Sequence, residues 1–138
     1  MSEPPELIRE VRKWIEKAEH DLKNAEHTLE LEDDCPFDTV CFHAQQCAEK
    51  YLKGLLIFIG VPYPRAHDLR LLLQLVEGKM VLGLKLSEVA SLNRYTIEGR
   101  YPGDWEPIGD REAKTALLIA HKVRQKIREH FPKKVFPH

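Results

Sequence analysis

The residues best suited to chemistry lie on one side of a predicted helix in the first half of the chain. His43, Gln46, Glu49, Lys50 and Lys53 recur at helical spacing, so most of them share one face. Imidazole, carboxylate and ammonium groups in one row can transfer a proton, orient a hydroxyl group or hold a phosphate. The alternative is a solvated face of ordinary Glu–Lys pairs, each worth roughly 0.3 kcal/mol.

A second polar pair lies on the preceding predicted helix. Lys17 and Asp21 are four residues apart and therefore also share one face. If the two faces meet, carboxylates, ammonium groups and an imidazole surround one cleft. In such a cleft a pair of lysines can hold a phosphate as point charges, and the carboxylates can orient a base or a ribose hydroxyl.

A third group lies in an irregular stretch from Arg100 to Asp110, which is unusually aromatic for a loop. Arg100, Tyr101 and Trp105 can together clamp a phosphate and stack a base. Equally, the rings can plug the end of the bundle while Arg100 pairs with a helix carboxylate.

Two further pairs carry weaker signals. His43 and Cys47 are four residues apart and could both bind a metal ion, but no second pair exists, so we predict a buried Cys47 and no metal site. His67 and Asp68 could serve as a general base and its orienting carboxylate. In the simpler interpretation Asp68 caps a short helix and His67 lies in the turn before it.

Helices must position these side chains, because apolar residues recur at helical spacing and no stretch alternates with a period of two. The longest stripe covers about six turns: Leu7, Val11, Trp14, Ala18, Leu22, Ala25 and Leu29. Prolines, acidic residues and glycines give the predicted helix bounds, which are Pro4 to Glu30, Pro36 to Gly60, Asp68 to Gly78, Ser87 to Gly99 and Asp110 to His130. The sequence therefore predicts an all-α antiparallel bundle of four to five helices. We expect a single domain over residues 1–138, with a core over about 6–130 and a frayed tail over 131–138.

Composition narrows the functional classes. The 138 residues fit one domain, and the formal net charge of -1 gives no overall field that would steer the protein to nucleic acid. The three cysteines, without a Cys-x-x-Cys pair, argue against a disulfide framework. No secretory leader or membrane-spanning run is evident, so we expect a cytoplasmic protein with no membrane contact and no cofactor.

The C-terminal end is locally basic. Six basic residues and one acid give a net charge of +5 over Lys122 to Lys134. Cations at this end of the last helix complement its dipole. A patch that binds RNA or nucleotide phosphates would explain the charge equally well.

Four sequence pieces together resemble a known family. They are Lys17-Ala-x-x-Asp21-Leu22, the run Cys41-Phe-His-Ala-Gln-Gln-Cys-Ala-Glu-Lys-Tyr-Leu-Lys53, His67-Asp68-Leu69 and Arg100-Tyr101-Pro102. Their order and spacing are similar to those of the HEPN family (higher eukaryotes and prokaryotes nucleotide-binding), over about Val11 to His130. The run on the second helix is the most specific of the four.

This resemblance implies a helical bundle that forms a homodimer. Small prokaryotic HEPN proteins are often encoded beside a minimal nucleotidyltransferase, and several such pairs behave as toxin and antitoxin. We therefore predict an accessory subunit that binds a nucleotide or a nucleotidyltransferase partner. The predicted nucleotide-binding residues are Lys17, Asp21, His43, Glu49, Lys53, Arg100 and Tyr101.

The resemblance also implies an alternative, because active HEPN toxins are metal-independent ribonucleases with an Arg-x(4–6)-His motif. Arg124 and His130, with five residues between them, fit that spacing. In this hypothesis Arg124 stabilises the charge on the phosphorane and His130 acts as acid or base. Phe131 and Pro132 follow, where adenylylatable toxins continue with x-Tyr. A third hypothesis is a purely structural interaction module.

Overall fold

Two long helices form the principal pair of the fold. The computed structural model describes residues 3–136, and its first two helices are α1 (Pro5–Leu29) and α2 (Phe37–Phe58). Pro5 occupies the first turn of α1, where its missing N–H leaves no helical bond unmade. Asp21 contacts His43 and Glu19 contacts Tyr51, so the two helices run antiparallel. Beyond α2, Gly60 adopts a φ of 73°, which glycine tolerates without strain.

Short helices then carry the chain back to the start of α2. They are α3 (Leu69–Glu77), α4 (Leu86–Ala90) and α5 (Tyr95–Glu98), with a 3₁₀ turn (Ser91–Arg94) joining the last two. The Asp68 carboxylate accepts a hydrogen bond from the Arg70 N–H, which caps α3 as predicted. Asn93 donates to the same carboxylate and accepts from the Leu69 N–H, so the cap of α3 is tied to the 3₁₀ turn.

The last helix completes the bundle. α6 (Asp110–Arg128) packs mainly on α2, and its ion pair from Arg124 to Glu19 ties it to α1. Tyr51 meets Arg128, and further along Phe58 meets Phe131, so α2 and α6 run in the same direction. This direction requires that α3, α4 and α5 return the chain to the other end of the bundle. Within residues 3–136 all regular elements are helical, as predicted.

The core lies between α1, α2, α3 and α6. Tyr51, Leu52, Leu55 and Leu56 of α2 are fully buried, because this helix packs against α1, α3, α5 and α6. Burial of apolar side chains at this scale supplies the main driving force for folding. In the described part of the chain, no helix combines the length and the apolar character that a membrane span requires.

The prediction of a frayed tail is wrong for residues 131–136. Val135 is fully buried, and the Arg12 guanidinium donates hydrogen bonds to the carbonyl oxygens of Val135 and Lys134. Phe131 makes edge-to-face contacts with Phe58 and with Phe136. Aromatic burial and the Arg12 contacts outweigh the entropy of the free chain end. Residues 137 and 138 of the predicted tail lie outside the described residues.

Candidate functional site

The α1–α2 interface holds a buried carboxylate with two basic partners. Asp21 is 9% exposed, and its two oxygens lie 2.8 Å from Nδ1 of His43 and 2.5 Å from Nζ of Lys50. Burial raises the pKa of Asp21, but the hydrogen bonds from His43 and Lys50 outweigh it and hold the pKa below its ordinary value. The structure therefore brings the predicted residues Asp21 and His43 together.

A second buried carboxylate lies further along α2. Glu49 is 3% exposed and accepts hydrogen bonds from Gln45 and from Lys53, both at 2.9 Å. Nδ1 of His67 lies 3.0 Å from the same carboxylate. Burial raises the pKa of Glu49, and the bonds from His67, Lys53 and Gln45 more than reverse that effect.

This arrangement changes the interpretation of the α2 polar face. The alternative of a solvated face does not hold for Glu49 and Lys53, because Lys53 is only 8% exposed. The Lys53 ammonium lies 5.8 Å from the ring centroids of both Trp14 and Tyr63, which provide cation–π contacts. The loop that follows α2 folds back over this face and buries it, which helical periodicity alone could not predict.

The pairing of His67 also differs from the sequence hypothesis. Its contact is with Glu49 rather than with the adjacent Asp68, whose carboxylate caps α3 and accepts a hydrogen bond from Asn93. Adjacent side chains point in different directions at a helix start. The Asp68 carboxylate therefore binds the backbone of α3, whereas the Glu49 carboxylate binds the His67 imidazole. The His67 side chain is 61% exposed, which leaves the far edge of its ring open to solvent.

Lys17 lies elsewhere, in a groove along α1. Arg9, Lys13, Trp14, Lys17 and Lys50 line this groove of about 500 Å³, together with Glu6 and Glu10. The groove takes three of its basic residues from α1, namely Arg9, Lys13 and Lys17, and they follow one another at steps of four, so they form a stripe along the helix. The sequence hypothesis included Lys17 and missed its neighbours, although their spacing was readable.

Arg100 and Tyr101 line a different cleft, of about 610 Å³, at the start of α2. The Arg100 Cζ lies 5.6 Å from the ring centroid of Phe42 and 5.7 Å from that of Tyr101. The cleft is built from the loop between α5 and α6 and from the first residues of α2: Cys35, Pro36, Phe37, Asp38, Glu98, Arg100, Tyr101, Pro102, Gly103, Trp105, Glu106, Pro107 and Ile108. We call it the Arg100 cleft. Tyr101 is 55% exposed, so it does not plug the bundle.

Two glycines set the shape of the Arg100 cleft. A Cβ on Gly99 would lie 2.7 Å from the Asp38 carbonyl oxygen and 2.7 Å from Cβ of Phe42, so only glycine allows the loop to start this close to α2. A Cβ on Gly103 would lie 2.3 Å from the ring of Trp105. The indole therefore packs directly on the Gly103 backbone and forms part of the cleft wall.

We expect Gly99→Ala to lower the free energy of unfolding by about 1–3 kcal/mol, because the methyl group forces α5 away from α2. Gly78→Ala is a matched control, because its Cβ would meet nothing closer than 3.4 Å and its φ of -67° suits alanine. Urea unfolding followed by circular dichroism measures both variants. Equal stability of the two variants would contradict the tight contact at Gly99.

Arg124 and His130 occupy different surroundings. The Arg124 guanidinium binds the Glu19 carboxylate through two hydrogen bonds of 2.7 and 3.1 Å, and the Tyr51 hydroxyl donates to the same carboxylate at 2.5 Å. His130 is exposed and lies beyond the last residue of α6. The ribonuclease hypothesis for these two residues stays a prediction.

Much of the basic charge at the C-terminal end has internal partners. Lys122 pairs with Glu88 at 3.1 Å and Lys134 with Glu3 at 3.2 Å. Arg128 lies 4.0 Å from the Phe136 ring centroid and donates a hydrogen bond to Tyr51. These contacts favour a structural role for most of this charge.

The cysteines divide into two classes. Cys41 and Cys47 are fully buried, and burial raises the pKa of Cys41 to about 12 and that of Cys47 further still. The predicted burial of Cys47 is thus confirmed. Cys35 is half-buried at the Arg100 cleft. Within residues 3–136, no three His, Cys, Asp or Glu side chains converge as metal ligands would.

Comparison with known proteins decides the family. The HEPN domain model matches residues 11–130. The chain belongs to the HEPN family. Two solved structures resemble this HEPN protein: TT1696 from Thermus thermophilus is 31% identical, with a TM-score of 0.69 over 88% of this chain and 98% of that one. ST0689, an archaeal HEPN homologue, is 26% identical, with a TM-score of 0.65 over 86% of this chain and 95% of that one. A search among curated proteins gave no significant match.

Proposed function

We propose that this HEPN protein binds a nucleotide in the Arg100 cleft and acts as a homodimeric accessory subunit of a minimal nucleotidyltransferase. One observation carries the nucleotide part of the proposal. The Arg100 guanidinium lies against the rings of Phe42 and Tyr101, and it forms no ion pair with any residue from 3 to 136. An arginine held by aromatic rings, with its N–H groups unpaired, is prepared to bind a phosphate.

The walls of the cleft support the same ligand class. Tyr101 and Trp105 offer aromatic faces on which a base can stack, and stacking contributes about 1–3 kcal/mol per base. The Asp38 and Glu106 carboxylates can accept hydrogen bonds from ribose hydroxyls. The buried partners of Asp21 and Glu49 make those two residues supports of the fold, so we place the ligand at Arg100 and Tyr101.

The nucleotide part is tested by Arg100→Ala. We expect the affinity for a bound nucleotide to fall at least about tenfold, because a charge-assisted pair of hydrogen bonds to phosphate is lost. Arg70→Ala is the matched control, since Arg70 is an exposed arginine that forms no ion pair with residues 3–136. Equilibrium dialysis with labelled nucleotides measures both. Equal losses in the two variants would argue against the Arg100 cleft.

The family supports the assembly part of the proposal, because HEPN domains commonly dimerise and small members often accompany a nucleotidyltransferase in a toxin–antitoxin-like pair. Native mass spectrometry of the purified protein measures both the mass and any retained nucleotide. A monomeric mass at micromolar concentration would remove the homodimer from the proposal without affecting the cleft.

A further inference from the structure

The charges around the Arg100 cleft are unevenly balanced. Arg100 is its single cation, whereas three carboxylates, those of Asp38, Glu98 and Glu106, line the same space. Glu98 is engaged by Arg94 in an ion pair. Asp38 and Glu106 are exposed, and within residues 3–136 neither forms an ion pair. The cleft therefore presents one cation and two unpaired carboxylates to a ligand.

The α1 groove on the same molecule has the opposite balance. Four cations, Arg9, Lys13, Lys17 and Lys50, face two carboxylates there. Lys50 is already bound to Asp21, and the other three cations remain in a stripe. A ligand with several negative charges would therefore prefer the α1 groove to the Arg100 cleft.

We infer that the Arg100 cleft selects a nucleotide that carries a single phosphate group and discriminates against di- and triphosphates. This inference rests on the proposed function of the same site. One guanidinium fork matches one phosphate, to which it can donate two parallel hydrogen bonds. Each additional phosphate brings further negative charge into a space that Asp38 and Glu106 already make negative, and like charges at close range repel one another.

The shape of the site agrees with this selection. The ring centroids of Phe42 and Tyr101 lie 5.6 and 5.7 Å from the Arg100 Cζ, so cation–π contacts favour this position of the guanidinium. Gly103 lets the Trp105 ring pack on the loop backbone, so the indole forms the wall that would receive the base. With the base on that wall and one phosphate on Arg100, the carboxylates of Asp38 and Glu106 can accept hydrogen bonds from the sugar hydroxyls.

The test compares ribonucleoside mono-, di- and triphosphates of all four bases in equilibrium dialysis, at fixed ionic strength and with a chelator present. We expect the best monophosphate to bind at least about tenfold more tightly than its triphosphate, which corresponds to about 1.4 kcal/mol. The double variant Asp38→Asn, Glu106→Gln should lower the ratio of monophosphate to triphosphate affinity about fivefold. Both ligands lose the same carboxylate contacts to the ribose hydroxyls, so the ratio isolates the repulsion, which is larger for the triphosphate.

Asp104→Asn is the matched control, because Asp104 is an exposed acid of the same loop that does not line the cleft. It should leave both affinities unchanged. Arg100→Ala identifies the site, because binding in the cleft must weaken in that variant. Circular dichroism spectra confirm that the variants remain folded.

The outcomes separate the two proposals. If no nucleotide binds in an Arg100-dependent manner, the proposed function fails and the selection fails with it. If a triphosphate binds through Arg100 as tightly as the monophosphate under these conditions, the selection is overturned and the nucleotide-binding function stands. An unchanged ratio of monophosphate to triphosphate affinity in the Asp38→Asn, Glu106→Gln variant would likewise overturn the selection.

Discussion

Replacing Glu49 with alanine is expected to lower the free energy of unfolding by about 3 kcal/mol, because it leaves the buried Lys53 ammonium without its carboxylate. The same change releases Gln45 and His67 from their shared acceptor. A loss of this size is a large share of the ~5–15 kcal/mol that stabilises a typical domain. Urea unfolding at neutral pH measures it.

Two further variants make this prediction specific. Glu16→Ala removes an exposed α1 carboxylate that forms no ion pair within residues 3–136, and it should change stability by less than about 0.5 kcal/mol. The double variant Glu49→Leu, Lys53→Met should recover most of the loss, because two apolar side chains need no charged partner. A double variant as unstable as Glu49→Ala would attribute the loss to the released Gln45 and His67 rather than to the Glu49–Lys53 pair.

Acid is expected to destabilise the fold steeply below about pH 4, and this is the second large effect. The pKa values of Asp21 and Glu49 are both lowered in the folded state by their hydrogen bonds and basic partners. Since unfolded carboxyl groups titrate near pH 4, their stabilisation is complete above about pH 5 and is lost as the pH falls through the lower folded pKa values. Because both groups lose stabilisation over the same pH range, their two losses add.

Asp21→Asn isolates one of these groups. The variant should be less stable than the wild type at neutral pH, because an amide is a weaker acceptor for His43 and Lys50. It should also lose less stability on acidification, so the difference in stability between the two proteins should narrow as the pH falls. Urea unfolding across this pH range measures both trends. Parallel pH profiles for the two proteins would contradict a lowered pKa at Asp21.

The helices could be predicted from the sequence because each carries its own signal. The apolar stripe of α1, the Asp68 cap of α3 and the prolines before α1 and α2 are local patterns that fix local structure. The docked tail could not be predicted in this way. Its stability depends on Arg12, more than a hundred residues away in the chain, and no pattern near Val135 indicates that contact.

In the candidate site, too, local sequence patterns predict some features and tertiary packing determines the others. The types and spacing of His43, Glu49 and Lys53 predict that they share one polar face. They do not predict which side chains these residues contact. Glu49 and Lys53 are buried because the loop through Tyr63 and His67 returns over α2, and the path of a loop depends on tertiary packing. The local Arg-Tyr-Pro sequence indicated that Arg100 and Tyr101 belong to a candidate site. That Asp38 lines the same cleft depends on the close approach of Gly99 to α2, which no local pattern predicts.

The three cysteines differ in their accessibility to thiol reagents. Thiol reagents attack thiolates, and the buried Cys41 and Cys47 offer neither access nor an ionised form near neutral pH. Cys35 has a partly exposed side chain at the wall of the Arg100 cleft. A maleimide fluorophore should therefore attach at Cys35 alone and place a reporter beside the ligand. The natural chain can thus be labelled at a single position without the introduction or removal of a cysteine.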